Sequence, residues 1–555
     1  MSVIYALIDN ILGIFNSDHI LNIKDPSKIF YKHNSFDKSN FHNSKNLFYQ
    51  YSLCLPFSYE KGYKYYLLSD TVFNIGDRFI LNQLSSDQNV VDLSCISNIN
   101  IANDDNKILQ QYYSITNNNN ISQVYKSFIS NLSKLLPKEL NYKDQTQLDT
   151  FNIDPPNSRD FDDAITIEDH KIYIHITDFE SKIKCGSDID ISAFLLNQTL
   201  YLPDTEPLYM LPRDLACNEL SLIKDKDRNV LTVEFIIDSE NNVCSSSIYP
   251  SIIHIKNRYD YETPVFKESK DTKINWISEF ILKNKFSSYE VPIPCYKLTN
   301  GKIENNTFII KKDNKDSYEY YNKYLISTLM ILANSYVSKY LSEYIHTPER
   351  FHPQPVKQPS DTEISDLSET VQTKLLIKDN KRAYYTPGIK GHYGLDLKDY
   401  THFTSPARRF LDTIIQRLIW CSFESSKNDI LKFLSSEKQS LDMIIEYCNI
   451  RQLINKKIQN YIKFLNIYRM VIECDNNSIW NAVIIDCNQH GITCYIESLL
   501  IETKIHVSNL GKEYFTFNHN TKELTGKKLK YKIGDTVTLK NPKAHHLYTT
   551  LTFQL

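Results

Sequence analysis

Glycine is scarce in this chain, 12 of 555 residues, while Asn, Lys, Ile and Tyr abound, a bias that an A·T-rich gene can impose and that excludes little. The eleven cysteines contain no C-x-x-C pair, so neither a zinc signature nor a disulfide framework is present. Such scattered thiols fit a reducing, cytoplasmic-type compartment, with nucleus and organelle left open. No apolar run approaches membrane-spanning length, and no membrane partner is expected. The opening "MSVIYALIDNILGIF" has no basic stretch and carries Asp9, which makes it a poor signal peptide. A net charge of −3 provides no overall basic field, so any nucleic-acid binding must come from a local groove.

What is present divides the chain into several parts. With 41% apolar residues over this length, three or four domains with real cores are expected. Residues 1–90 alternate short apolar runs such as "LFYQYSLCLPF" with polar clusters, as a small β-rich domain of OB or cold-shock type does. Residues 91–145 read as a linker and a helical or degenerate second β region, with a polar break at "TNNNNISQ" and then a helix, "VYKSFISNLSKLL", that stops at Pro137. A long mixed region spans 146–470. Within it, "AITIEDHKIYIHITDF" predicts a hairpin and "YNKYLISTLMILANSYVSKYLSEYI" a buried helix. A helical stretch from Phe410 to Met470 includes one expected apolar stripe of Leu453, Ile454, Ile458, Tyr461, Ile462 and Leu465. Residues 471–555 return to five short strands with a long insertion near "EYFTFNHNTKELTGKK", an OB-type barrel.

The chemistry concentrates in "FNIDPPNSRDFDDAITI". Asp154, Asp160, Asp162 and Asp163 fall within ten positions, and each carboxylate raises the pKa of the others unless a cation holds them ionised. A solvated acidic loop is the plain alternative. Against it stand Phe161 inside the cluster, the strand that follows at once, and Pro155 and Pro156, which fix the backbone. A rigid loop aiming hard oxygens at one point suits Mg²⁺, and such ions serve phosphodiester cleavage.

"IDPPNSRDFDDAI" resembles the signature of the RNase II (RNB) family of 3′-to-5′ exoribonucleases. "IYIHITDF", "GSDID", "LYLPDTEPLYMLPRDLACNELSL", "NRYDYE" and "GHYGLDLKDYTHFTSPARRFLDTIIQRLI" look like successive blocks of that family, in the same order. The resemblance implies an α+β multidomain protein, with a mixed α/β RNB core flanked by small OB-type β-barrels. It also implies hydrolysis of single-stranded RNA with a free 3′ end, processively, to nucleoside 5′-monophosphates. Mg²⁺, with Mn²⁺ as the other candidate, is the implied cofactor. Asp154 and Asp163 match direct metal ligands, Asp160 and Asp162 complete the acidic centre, and Asp162 matches the position tied most closely to cleavage. Arg408 in "TSPARR" matches a catalytic arginine, with Arg409 beside it on the RNA side. Tyr201 in "LYLP" matches an aromatic that stacks on the terminal base, and Tyr259 in "NRYDY" a second tyrosine near the scissile nucleotide. His392 and Tyr393 are placed along the RNA channel, where a structural role competes, and the histidines of "IHTPERFHPQP" read as structural. In the C-terminal barrel, Lys504, His506, Tyr514 and Phe515 would offer charge and stacking surface to RNA.

Two departures from the pattern stand out. Ser327 and Thr328 in "LISTLMILAN" occupy positions where the family commonly has glutamates, one of which helps recognise the ribose; Glu319 is a possible substitute. Gln416 replaces a customary histidine. Two rivals follow: a catalytically inactive RNA-binding protein on the same scaffold, and a nuclease with relaxed choice between RNA and DNA.

Overall fold

The computed structural model describes residues 119–201, 206–263, 272–284, 318–344, 347–354, 382–473, 478–499, 501–519, 521–545 and 550–555, with isolated strands between residues 4 and 95 and between 294 and 310. The N-terminal strands Ile4–Ile8, Ile11–Asn16, His19–Asn22 and Ile29–Tyr31 pair as an antiparallel meander, and Tyr66–Leu68, Phe79–Gln83 and Val90–Cys95 as a second sheet. The expected strand "LFYQYSLCLPF" lies outside the described residues.

Helix α1 (Asn119–Leu132) begins inside the tract expected to be a polar break and ends before Pro137. Ile121, Tyr125, Phe128, Ile129 and Leu132 recur at helical spacing and are all buried, so packing of this face overrides the weak propensity of the asparagines.

The centre of the molecule is a closed ring of five strands. β1 (Thr150–Ile153), β2 (Asp163–Glu168), β3 (Lys171–Thr177), β4 (Asp227–Ile237) and β5 (Val243–Tyr259) pair in order, and β5 returns to β1. The β2–β3 hairpin forms as its sequence predicts, from Asp163 opposite Ile176 to Glu168 opposite Lys171. The closing β5–β1 pair is parallel and places Tyr259 beside Ile153. Alternation sends Ile165, Ile174, Val233 and Phe235 outward against helices, and Ala164, Val230, Ile253 and Ile255 inward with Phe161 and Leu222. Deeper inside, a hydrogen-bonded ladder crosses all five strands: Thr150 to Thr166 (2.8 Å), Thr166 to His175 (3.0 Å), His175 to Thr232 (2.8 Å) and Thr232 to Ser251 (2.5 Å). Burial pushes the His175 pKa down to about 3, so the ladder is neutral and satisfied.

Helices cover the ring. α2 (Asp188–Leu196), α3 (Thr272–Lys283), α4 (Tyr318–Tyr340), α5 (Phe410–Glu424), α6 (Lys427–Ser436) and α7 (Lys438–Glu473) follow in chain order, the stretch expected to be helical from Phe410 being divided in three. α5 is buried on every side from Phe410 to Cys421, where a polar group is costly unless it is partnered. Arg417 bonds Glu180 (2.7 Å), Tyr125 (2.9 Å) and Asp190 (2.9 Å), linking α1, α2 and α5. On α7 the buried arc runs through Tyr447, Cys448, Arg451, Ile454 and Asn455. Leu453 falls outside that arc and is 46% exposed, which corrects its place in the predicted stripe.

The C-terminal unit is a five-stranded sheet of β8 (Trp480–Asn488), β9 (Gly491–Ile496), β10 (Ile501–His506), β11 (Thr536–His545) and β12 (Thr550–Gln554), ordered β10-β9-β8-β11-β12. Its two edge strands touch, which nearly closes it into the expected OB-type barrel. Lys504 and His506 face solvent on β10, and Tyr514 is 86% exposed in the insertion. Phe515 corrects the prediction: it is 8% exposed and packs in the barrel core against Tyr531. Among the described residues no helix is long and apolar enough to cross a membrane, and the seven cysteines there are free.

Candidate active site

The acidic loop leaves the ring at the end of β1 and re-enters it at β2. Asp154 donates its backbone N–H to Tyr259 O (3.2 Å), continuing the β1–β5 pairing by one residue before the prolines turn the chain. The far end is fixed by three neighbours. Ser221 Oγ accepts from Phe161 N (3.0 Å) and donates to Arg159 O (2.8 Å), Leu222 N donates to Phe161 O (2.9 Å), and Thr177 N donates to Asp162 O (2.9 Å). Behind Thr177 stands Gln416, whose amide donates to Thr177 O (2.9 Å) and accepts from Phe179 N (3.1 Å). A glutamine can serve both partners at once without a charge, which accounts for its presence at this position.

The segment before α5 closes over the loop. Ala407 N donates to Asp162 Oδ1 (2.8 Å), and Arg408 Nε donates to Asp162 Oδ2 (3.1 Å). Asp162 is buried, its side chain 1% exposed, whereas that of Arg408 is 39% exposed, so the guanidinium links the interior to the open side. Burial, opposed only in part by Arg408, pushes Asp162 up to about 7. Asp154 is pushed up to about 8 by burial and by the charge of Asp163, and Asp163 to about 6 by burial. Burial alone would lower Arg408, yet Asp162 and the Tyr201 phenol hold it above its usual value.

Tyr201 donates its phenol to Asp160 Oδ2 while its ring stays 41% exposed, a flat face beside the acids. Two of the expected residues are engaged elsewhere. Arg409 is turned inward, its Nη2 2.8 Å from the fully buried Asp412. His392 lies edge-on between His352 (4.9 Å) and Tyr400 (5.1 Å), with its pKa held down to about 4 by burial and by His352 and Arg350. It is a neutral wall residue.

The tyrosines of "NRYDY" have different surroundings. Tyr259 packs edge-on against Phe151 (5.8 Å), and its charged neighbour is Asp149, not the acidic centre. Tyr261 is the one whose phenol, pushed upward by burial, feels Asp154, Asp163 and Arg408. An Asx turn at Asp260, accepting from Glu262 N (3.0 Å) and Thr263 Oγ1 (2.8 Å), bends the chain after β5, and Asn322 on α4 holds Tyr261 O (2.9 Å). That D-x-E-T turn signal was present in the sequence. On the same helix Ser327 is exposed, whereas Thr328 is buried.

Among the described residues no three His, Cys, Asp or Glu side chains are gathered closely enough to hold an ion as they stand. Asp160 is drawn to Tyr201, and Asp162 to Ala407 and Arg408, so the four aspartates do not form one ready cage. Their chemistry nonetheless fits a hard divalent cation. Every donor is oxygen, three carboxylates are pushed upward by burial, and Asp154 Oδ2 is buried with no hydrogen-bond partner.

The sequence model of the RNB domain matches residues 142–424, just over half of the chain. The chain belongs to the RNB domain family. All four aspartates, Tyr201, Tyr261 and Arg408 fall inside the RNB match. Ribonuclease R of Mycoplasma genitalium is 26% identical over 455 residues, covering 72% of this chain and 61% of that protein. Ribonuclease R of Chlamydia pneumoniae is 24% identical over 500 residues, covering 81% and 72%. The chain thus spans less than two thirds of the first of these relatives. Among solved structures, Mycoplasma genitalium RNase R in complex with ribose methylated single-stranded RNA superposes with a TM-score of 0.68 at 18% identity over 100% of both chains. Yeast Ssd1, a pseudonuclease, superposes with a TM-score of 0.58 at 17% identity, covering 80% of this chain and 61% of that one. At these identities the structures speak for the RNB fold alone.

Proposed function

We propose that this chain is a divalent-metal-dependent exoribonuclease that degrades single-stranded RNA from its 3′ end, processively, to nucleoside 5′-monophosphates. The observation that carries the reading is the group of buried Asp162 and half-buried Asp154 and Asp163, capped by Arg408 within an RNB domain. Asp154 and Asp163, with Asp162 and Asp160, would hold Mg²⁺ or Mn²⁺. When bound, such a cation supplies concentrated positive charge and makes water more acidic at neutral pH. Water adds to phosphorus and the P–O3′ bond breaks, leaving a 3′-hydroxyl on the shortened RNA and a 5′-monophosphate. Asp162 orients the attacking water, and Arg408, pre-set by its bond to Asp162, stabilises charge on the scissile phosphate through guanidinium hydrogen bonds. The exposed Tyr201 ring stacks on the terminal base, which suits an enzyme that must grip every base in turn. Lys504, His506 and Tyr514 on the C-terminal barrel feed the strand inward.

Ssd1 shows that the fold also hosts a pseudonuclease. Against an inactive copy stands the retention of Asp154, Asp162 and Asp163 together, since carboxylates with pKa values raised by burial cost stability when ionised. Incubating 5′-labelled single-stranded RNA and its DNA twin with Mg²⁺ separates the readings. The expected result is a ladder shortening from the 3′ end on RNA, weaker on DNA and absent with EDTA. Intact RNA bound tightly would identify an inactive RNA-binding protein.

A further inference from the structure

Arg258, one residue before Tyr259 near the end of β5, reaches back over the acidic loop from outside. Its Nη2 donates to both carbonyls of the proline pair, Pro155 O (3.1 Å) and Pro156 O (3.2 Å). The guanidinium also stands 4.8 Å from the centroid of the Phe161 ring. Pro155 and Pro156 directly follow Asp154, and Phe161 lies between Asp160 and Asp162. One side chain therefore spans both ends of the aspartate run. An exposed arginine with no structural duty would be solvated; this one lies along the loop and satisfies carbonyls that ring-fixed prolines cannot redirect.

We infer that Arg258 is a positioning residue, holding the Pro–Pro turn against Phe161 so that Asp154 and Asp163 keep a common aim at a divalent cation. The inference rests on the metal-dependent reading of this site. Arg258 itself touches no reacting atom; it acts through the loop, as outer-shell partners of metal ligands do, whose loss typically weakens metal affinity by about 10- to 100-fold.

The test is Arg258→Met in the full chain, read by electron paramagnetic resonance of free Mn²⁺ at one fixed pH. The expected result is a Kd for Mn²⁺ raised about tenfold, with unchanged melting temperature and unchanged RNA affinity in chelator. Cleavage should fall at limiting Mg²⁺ and recover in excess, a rescue that a misfolded loop would not show. Arg258→Lys keeps a charge and a donor but no planar face for Phe161, and should fall between parent and Met variant; it decides the question if the Met variant unfolds. Parent-like Mn²⁺ affinity in Arg258→Met, or lost cleavage that excess Mg²⁺ does not restore, would overturn the role of Arg258. A parent protein that binds no Mn²⁺ and cleaves no RNA would instead overturn the functional reading beneath it.

Discussion

Two tyrosines only two positions apart make different contacts because the chain turns between them. Tyr259 is still strand and lies on Phe151; Tyr261 follows the Asp260 turn and enters the field of Asp154, Asp163 and Arg408. Under the proposed function the Tyr261 hydroxyl would face the reacting phosphate, and one hydrogen bond to it would be worth about 1 kcal/mol or more. Tyr261→Phe is therefore expected to slow single-turnover cleavage several-fold to about tenfold, whereas Tyr259→Phe should leave the rate near the parent's; the reverse order would restore Tyr259 to the site. Ser327 and Thr328 are likewise unequal. A glutamate at buried Thr328 would bury a charge and cost stability, so only exposed Ser327 can host one without damage. Glu319 is paired with Lys323 (3.0 Å), which weakens its case as a substitute. A carboxylate bond to a 2′-hydroxyl contributes roughly 1.5–3 kcal/mol, which is about tenfold or more in rate. The expected outcome is that Ser327→Glu increases the ratio of cleavage rates on all-ribose and single 2′-deoxy substrates by about that factor. An unchanged ratio would show that Ser327 does not face the sugar.

Strands and their loop set how the site responds to pH. Asp154, Asp162 and Asp163 have folded pKa values raised to about 8, 7 and 6. A group raised on folding contributes stability at pH below its unfolded value and loses it as pH rises through the folded one. Without a cation, stability from this group is therefore lost as pH rises from about 4 to about 8, and it stays lost above that. A cation must displace those protons, so it binds more weakly where they are held. The gain in melting temperature on adding saturating Mg²⁺ should be greater at pH 8 than at pH 6, measured by calorimetry. A gain equal at both, or larger at pH 6, would disconnect the ion from these carboxylates. His175 has the opposite sign: its folded pKa of about 3 means that stability falls as pH drops below its unfolded value, whether or not metal is present.

Across the whole molecule, what could be read in advance was local. The aspartate loop and its hairpin announced themselves because charge, proline and alternation act over a few residues, as did the C-terminal strands with their insertion, whereas Arg408 was legible only through the family resemblance of "TSPARR". The parallel closure of β5 on β1, across about a hundred residues of chain, left no local signal. Neither did the inward turn of Arg409, which depends on Asp412 being buried, nor the split of one long helical stretch at the Ser426 cap, where the hydroxyl accepts from Asp429 N. Phe515 looked like a stacking surface because an aromatic beside an exposed Tyr514 gives no sign of which ring the barrel takes. These pieces meet at Asp162, held by β3 through Thr177, by the α5 approach through Ala407, and by Arg408. The most direct measurement is single-turnover cleavage of 5′-labelled single-stranded RNA by Asp162→Asn, with RNA affinity and melting temperature taken on the same samples. Replacing a buried carboxylate of raised pKa with an amide should leave the fold and RNA binding intact, while loss of the group that orients water should cut the rate by about 10²-fold or more. Cleavage near the parent rate by a folded, RNA-binding Asp162→Asn protein would contradict the account.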